Sequence, residues 1–224
     1  MERNRKRVKS RRHYDSSGRL AQAARSRSAV LDAAERMFLT AGFATTTITA
    51  IADAAGVSVE TIYKSFGGKP GLVRAIRDRA LMGTGPVPAE SRSDRMRRLE
   101  KDPHQLIARW GSFTSEIAPL VSPILLLVRS AAATDSEMAI LLAEMDADRL
   151  RRMTTNARHL HTAGYLRAGV TLANAVDILW TYSSPELYEL LVLRRGWAIE
   201  RYGRFVGEAM AGALLPAPRN NPPR

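Results

Sequence analysis

The sequence predicts an all-α protein in two helical parts. Three observations carry this prediction. Apolar residues recur at helical spacing from Ala29 onward, a Gly/Pro cluster at residues 83–88 divides the pattern, and no run shows the alternation of a half-buried strand. The 45% hydrophobic content is ample for a core. Against 22 acidic residues stand 34 basic ones, and the formal charge of +12 points to a polyanionic partner, nucleic acid or an acidic membrane surface. Zero cysteines exclude a disulfide framework and thiolate metal sites, and the cytosol is the compartment that fits.

Residues 1–27 read as a flexible basic arm: Arg3, Arg5, Lys6, Arg7, Lys9, Arg11 and Arg12 open the chain and no apolar signal region follows. Residues 28–82 read as one unit. Val30, Leu31, Ala34, Met37 and Phe38 form the stripe of a first amphipathic helix, which stops at Gly42. Thr45, Thr46 and Thr47 are candidate caps for a short second helix through Ile48, Ile51, Ala52 and Ala55, ended by Gly56. Ser58 caps a third containing Val59, Ile62, Tyr63 and Phe66, ended by Gly67 and Gly68. A fourth opens at Lys69 and Pro70 and continues through Leu72, Val73, Ile76 and Leu81.

The second part, residues 83–215, has helical patterns at 103–117, 120–133, 136–163, 172–183, 186–194 and 199–215, with breaks or kinks at Pro119, Gly164, Pro185 and Gly196. The most apolar stretch, 119–128, holds two prolines and is shorter than the roughly 18 residues a membrane span needs, so no membrane segment is expected. The tail, 216–224, carries four prolines and reads as disordered.

The segment TAIADAAGVSVETIYK, residues 49–64, has the makings of a helix-turn-helix. Ala52 is small enough for two helices to cross closely, Gly56 supplies a turn with positive φ, and Val57 plugs the turn into the core. The face left outward on the third helix offers Ser58, Val59, Glu60, Thr61, Tyr63 and Lys64, short groups for a major groove beside groups that reach phosphate. Thr46, Thr47, Tyr63, Lys64 and Lys69 are the phosphate-contact candidates. A helical hairpin with glycine in its turn can also be mere core; the basic arm ahead of it and the lack of acidic excess on the outward face favour DNA.

The stretch FATTTITAIADAAGVSVETIYKSFGGKPGLVRAI, with the helix ahead of it, resembles the DNA-binding domain of the TetR family of transcriptional regulators over roughly residues 28–81. The resemblance implies an N-terminal DNA-binding domain followed by a helical ligand-binding and dimerisation domain, in a homodimer whose third helices enter successive major grooves of a palindromic double-stranded operator. By position, Thr47, Tyr63 and Lys69 match phosphate contacts. Val59, Glu60, Thr61 and Lys64 occupy base-reading positions, and Ser65 stands where histidine is frequent.

The C-terminal stretch from Trp180 resembles that of actinobacterial-type members, implying a four-helix dimer interface from residues 172–194 and 199–215, with Leu179, Leu187, Leu190, Leu191, Phe205 and Met210 among its contacts. A regulator of this kind needs a pocket for a small apolar or aromatic effector. Trp110, Phe113, Met138, Leu142, Met145, Trp180 and Tyr182 are the candidates to line it. His159 and His161, two apart on a helix, point to different faces, so no metal is expected, and no cofactor is implied. No phosphate loop, nucleophile elbow or cysteine nucleophile suggests an enzyme. The reading is a nucleoid-associated cytoplasmic regulator, repressor before activator, with a sequence-independent architectural DNA binder as its rival.

Overall fold

The computed structural model describes residues 17–83, 85 and 87–217. Among them the helices are α1 (Ser17–Ala41), α2 (Ile48–Ala55), α3 (Val59–Phe66), α4 (Lys69–Met82), α5 (Ala89–Leu99), α6 (Pro103–Ala131), α7 (Ser136–Thr162), α8 (Leu172–Tyr182), α9 (Pro185–Tyr188), running on into a π-helical segment at Glu189–Arg194, and α10 (Ile199–Leu214). No strand occurs among the described residues.

The boundaries depart from the sequence expectation in four places. α1 begins at Ser17, so residues 17–27 are helix rather than arm. That segment lacks an apolar stripe, yet it is built from strong helix formers and Arg25 donates to Gln22 Oε1 one turn back at 2.7 Å. The basic run Arg3–Arg12 and most of the predicted tail lie outside the described residues. α5 has no apolar periodicity to announce it. Ion pairs hold it instead: Arg97 and Arg152 both reach Asp94, at 2.5 and 2.6 Å, and Arg92 reaches Glu116 at 2.8 Å.

α6 runs unbroken through Pro119, where a break or kink was expected, and through Pro123. It packs along its length against α10, α4, α7 and α9, and that packing outweighs the backbone bond each proline removes. Its best window has a mean hydropathy of 1.5 and would span a bilayer by length and composition alone. Within the chain, 33% of that window is buried. Lastly, the expected helix at 186–194 is one α-turn and then the π-helical segment.

Two apolar cores organise the chain. The first joins Val30, Ala34 and Phe38 of α1, Ile51 of α2, Ile62 of α3 and Ile76 of α4 to Ile124 and Val128 of α6 and Met138, Leu141 and Met145 of α7. It therefore crosses the expected division near residue 83 without interruption. The second gathers Trp110, Leu160, Leu179, Tyr202, Val206 and Met210 around the crossing of α6 and α10. That crossing brings two backbones together at glycine: a Cβ on Gly203 would stand 2.6 Å from the Gly111 carbonyl oxygen, and one on Gly111 2.5 Å from that of Gly203.

Candidate nucleic-acid interface and internal cavity

The helix-turn-helix is assembled from local caps. The Thr47 side chain accepts from Ala50 N at 3.1 Å to open α2, and the Ser58 hydroxyl accepts from Thr61 N at 3.1 Å to open α3. Gly56, at φ 65°, closes α2 in the left-handed region, where any side chain would be strained. Val57 N then donates to Ala52 O at 3.1 Å, fixing the turn. Ile62 turns inward, leaving Glu60, Thr61, Tyr63, Lys64 and Ser65 exposed on α3, with Tyr63 54% accessible. Val59 is half-buried against the first core. The exposed face is short, mixed in polarity and free of acidic excess, which suits a groove flanked by phosphates.

Two predicted contact residues are engaged inside the protein. Thr46 is only 2% accessible, and its hydroxyl donates to Gly42 O at 2.8 Å and Met37 O at 3.2 Å. It ties the end of α1 to the start of α2 and presents no side chain outward. Lys69 Nζ donates to Phe43 O at 2.7 Å and Thr46 O at 3.1 Å and lies 4.3 Å from the Phe43 ring centroid. Its ammonium locks the α1–α2 loop onto the start of α4.

The second core encloses a cavity of about 630 Å³ whose wall includes Arg77 and Leu81 of α4, Ser93 of α5, Trp110 and Phe113 of α6, Met145 and Asn156 of α7, Tyr182 of α8 and Tyr202 of α10. The side nearest α4 is charged, with Arg77 bound to Asp148 at 3.0 Å and Arg151 paired to the same carboxylate. Burial pushes the Asp148 carboxyl up, but hydrogen bonds from Arg151 and Arg77 outweigh it and hold it below the usual aspartate value. Asp94, paired with the cavity-lining Arg152, is held low in the same way by Arg152 and Arg97 against its burial. Deeper in, Tyr202 is pushed up to about 12 by burial and the neighbouring Tyr188, so its hydroxyl keeps its proton.

Residues 30–76 match the family model described as bacterial regulatory proteins, tetR family. The chain carries a TetR-family helix-turn-helix domain. Solved structures extend the likeness to the whole fold. SmeT in complex with triclosan matches with a TM-score of 0.70 at 22% identity, over 86% of this chain and 93% of that one. SmeT is the repressor of the Stenotrophomonas maltophilia multidrug efflux pump SmeDEF. The fatty acid degradation regulator FadR of Bacillus halodurans matches with a TM-score of 0.65 at 15% identity, over 84% and 95%. Comparison with curated proteins gives no match.

Around the TetR-family domain, the structure divides the residues predicted for the pocket. Trp110, Phe113, Met145 and Tyr182 line the cavity. Met138 and Leu142 do not; they pack in the first core, which lies beneath the DNA-binding helices and whose edge reaches the cavity at Met145. Trp180 is covered by the Arg149 guanidinium, 4.3 Å from its ring centroid, and is not part of the wall. Sequence reasoning missed Asn156, Tyr202 and Arg77. A polar residue on the buried stripe of α7 was the available signal for Asn156.

The predicted dimer contacts divide too. Leu179 and Met210 are buried within the same chain, turned toward α6 and the cavity, so they have no surface to offer a partner. Leu190 and Phe205 are exposed, and Leu187 and Leu191 are half-buried. Leu193 adds to this surface, as does Trp197, stacked edge-on with Phe205 at 5.5 Å between ring centroids.

Proposed function

We propose that this protein is a homodimeric transcriptional repressor that binds a palindromic operator through its TetR-family domain and leaves it when a small apolar or aromatic molecule fills the cavity. The carrying observation is that the cavity shares its wall with α4, the helix that follows the helix-turn-helix: Arg77 lies on both. A molecule that moves Arg77 or its partner Asp148 moves the mount of α3. Effector action requires unequal affinity for the DNA-bound and released geometries, and a wall shared with α4 supplies a reason for the inequality.

Tyr63, Lys64 and Thr47 serve as phosphate contacts and Val59, Glu60 and Thr61 as base readers in this reading, and Lys69 acts by holding the loop that carries Thr47. Ser58 contributes as the cap that aims α3. The exposed Leu190, Leu193 and Phe205 form the centre of the dimer contact, with Leu187 and Leu191 at its edge. Work at the nucleoid places the protein in the cytoplasm. The solved pairing of SmeT with triclosan supports a ligand-responsive reading by likeness of fold.

Selection from random duplex DNA, followed by titration of the winning site at several salt concentrations, tests the operator half of the proposal. A palindromic winner bound far more tightly than random duplex is expected, with Tyr63→Ala weakening every site and Thr61→Ala changing base preference. Uniform, salt-governed binding without a consensus would instead establish an architectural DNA binder. A monomeric mass in solution at micromolar concentration removes the dimer.

A further inference from the structure

The polar atoms of the cavity wall carry information about its occupant. Seven ionic side chains line it, among them Arg77, Asp148, Arg149 and Arg152, and each already stands in an ion pair. An anionic or cationic guest would be desolvated against a set of charges that are matched without it. Two neutral wall atoms that are themselves fully buried are not matched. Trp110 Nε1 and Asn156 Oδ1 are buried without a hydrogen-bond partner, and both residues line the cavity at 5% exposure. One is a donor and the other an acceptor, and leaving either unmet costs free energy that a guest can recover. Arg149 Nε is also bare, but that guanidinium donates to Trp180 O at 2.6 Å, reaches Asp146 at 3.3 Å and stacks on the Trp180 ring.

We infer that the effector is an uncharged, drug-sized molecule with an aromatic body and a group that both accepts and donates a hydrogen bond, such as a hydroxyl, seated between Trp110 and Asn156. The inference rests on the ligand-released reading above and narrows it to a chemical class. The aromatic body follows from the wall, where Phe113, Ile117, Val121 and Tyr182 offer apolar and ring surface in a volume of about 630 Å³, within the range of small-molecule sites. The dual group follows from the pair of orphans. A hydroxyl serves either orientation of the Asn156 amide, because it can accept or donate there.

Calorimetric titration of the full chain with four para-substituted biphenyls tests this: 4-hydroxybiphenyl, 4-methoxybiphenyl, biphenyl-4-carboxylate and biphenyl-4-ylmethylammonium. The hydroxyl compound is expected to bind tightest, about tenfold above the methoxy compound, which accepts but cannot donate. Asn156→Leu is expected to erase that ratio, whereas Trp110→Phe weakens both compounds by about five- to tenfold and preserves it. The wild-type ranking needs no variant to fold, and thermal unfolding checks the two variants.

Tightest binding by the carboxylate or the ammonium overturns the inference, as does a ratio that survives Asn156→Leu in a folded protein. Failure of 4-hydroxybiphenyl to bind up to its solubility limit overturns it too. The same compound is then titrated against the protein–operator complex. Binding that follows the expected ranking but releases no operator overturns ligand-released repression and leaves the chemical class standing.

Discussion

The two cores of this protein are built to opposite specifications. The first, under the DNA-binding helices, is filled: Phe38, Ile51, Ile62, Leu72, Ile76 and Met138 are wholly inaccessible, and the cavity touches it only at its edge, through Leu125 and Met145. The second surrounds a cavity of about 630 Å³ and leaves Trp110 Nε1 and Asn156 Oδ1 unpaired. A close-packed core moves as a block and transmits displacement, whereas an underfilled one responds to what enters it. The comparison teaches that the division of labour follows packing rather than chain order, because α6 and α7 contribute to both cores.

The sharpest way to break the comparison is to truncate one side chain from each core. Met138→Ala, in the filled core, is expected to cost about 2–5 kcal/mol, because a cavity opens where none existed. Met145→Ala borders the existing cavity and is expected to cost less, at or below about 2 kcal/mol, while enlarging the site. Denaturant unfolding of both variants measures the difference. Equal losses would mean that the two regions are packed alike.

The second largest effect belongs to the glycine crossing. Gly203→Ala places a methyl group 2.6 Å from the Gly111 carbonyl oxygen and 1.8 Å from Ser115 Oγ. The backbone contact cannot be relieved by a rotamer change, so α10 must move off α6. A loss of about 1–3 kcal/mol is expected, with weakened binding in the cavity that both helices wall. Gly212→Ala, on the same helix with open space around the added atom, is the control and should raise stability by about 0.5–1 kcal/mol through helix propensity alone.

What the sequence revealed divides along the same line. The first four helices were legible because their punctuation is local: Gly42, Thr47, Gly56, Ser58 and Gly67 act within a few residues of where they stand. The opening of α1 and the whole of α5 were not, since each depends on propensity or ion pairs rather than an apolar stripe. Pro119 misled because a rule about isolated helices was overruled by packing from six other helices. The site shows the same limit. The exposed face of α3 followed from periodicity, but the burial of Thr46 and the double carbonyl contact of Lys69 depend on residues up to 26 positions away. Met138 and Met145 were both candidates to line the pocket, and nothing in the sequence told which of two cores each would enter.

A smaller effect tests the filled side. Ser58→Ala removes the cap of α3, and a loss of about 1 kcal/mol is expected in thermal unfolding. Thr61, whose hydroxyl pairs with Ser58 at 2.8 Å, loses that restraint at the same time. Base preference should therefore relax in Ser58→Ala even though Ser58 itself reads no base, and a site selection repeated with the variant measures this.

The smallest expected effect is a pH dependence on the side of the second core. Burial lowers the His159 pKa from 6.5, and the positive charges of Arg97 and Lys101 lower it further, while Nε2 has no hydrogen-bond partner. The unfolded chain thus takes up a proton near 6.5 that the folded chain accepts only at lower pH. Stability contributed by the neutral imidazole is complete above 6.5 and declines as the pH falls below it, until the folded form protonates too. His159→Gln removes the titration, so the unfolding temperature of the variant should lose less than that of the parent on acidification through this window. Identical profiles would show that the neighbouring cations, rather than the imidazole, adjust to the change. That outcome would make the region around His159 as compliant as the cavity beside it.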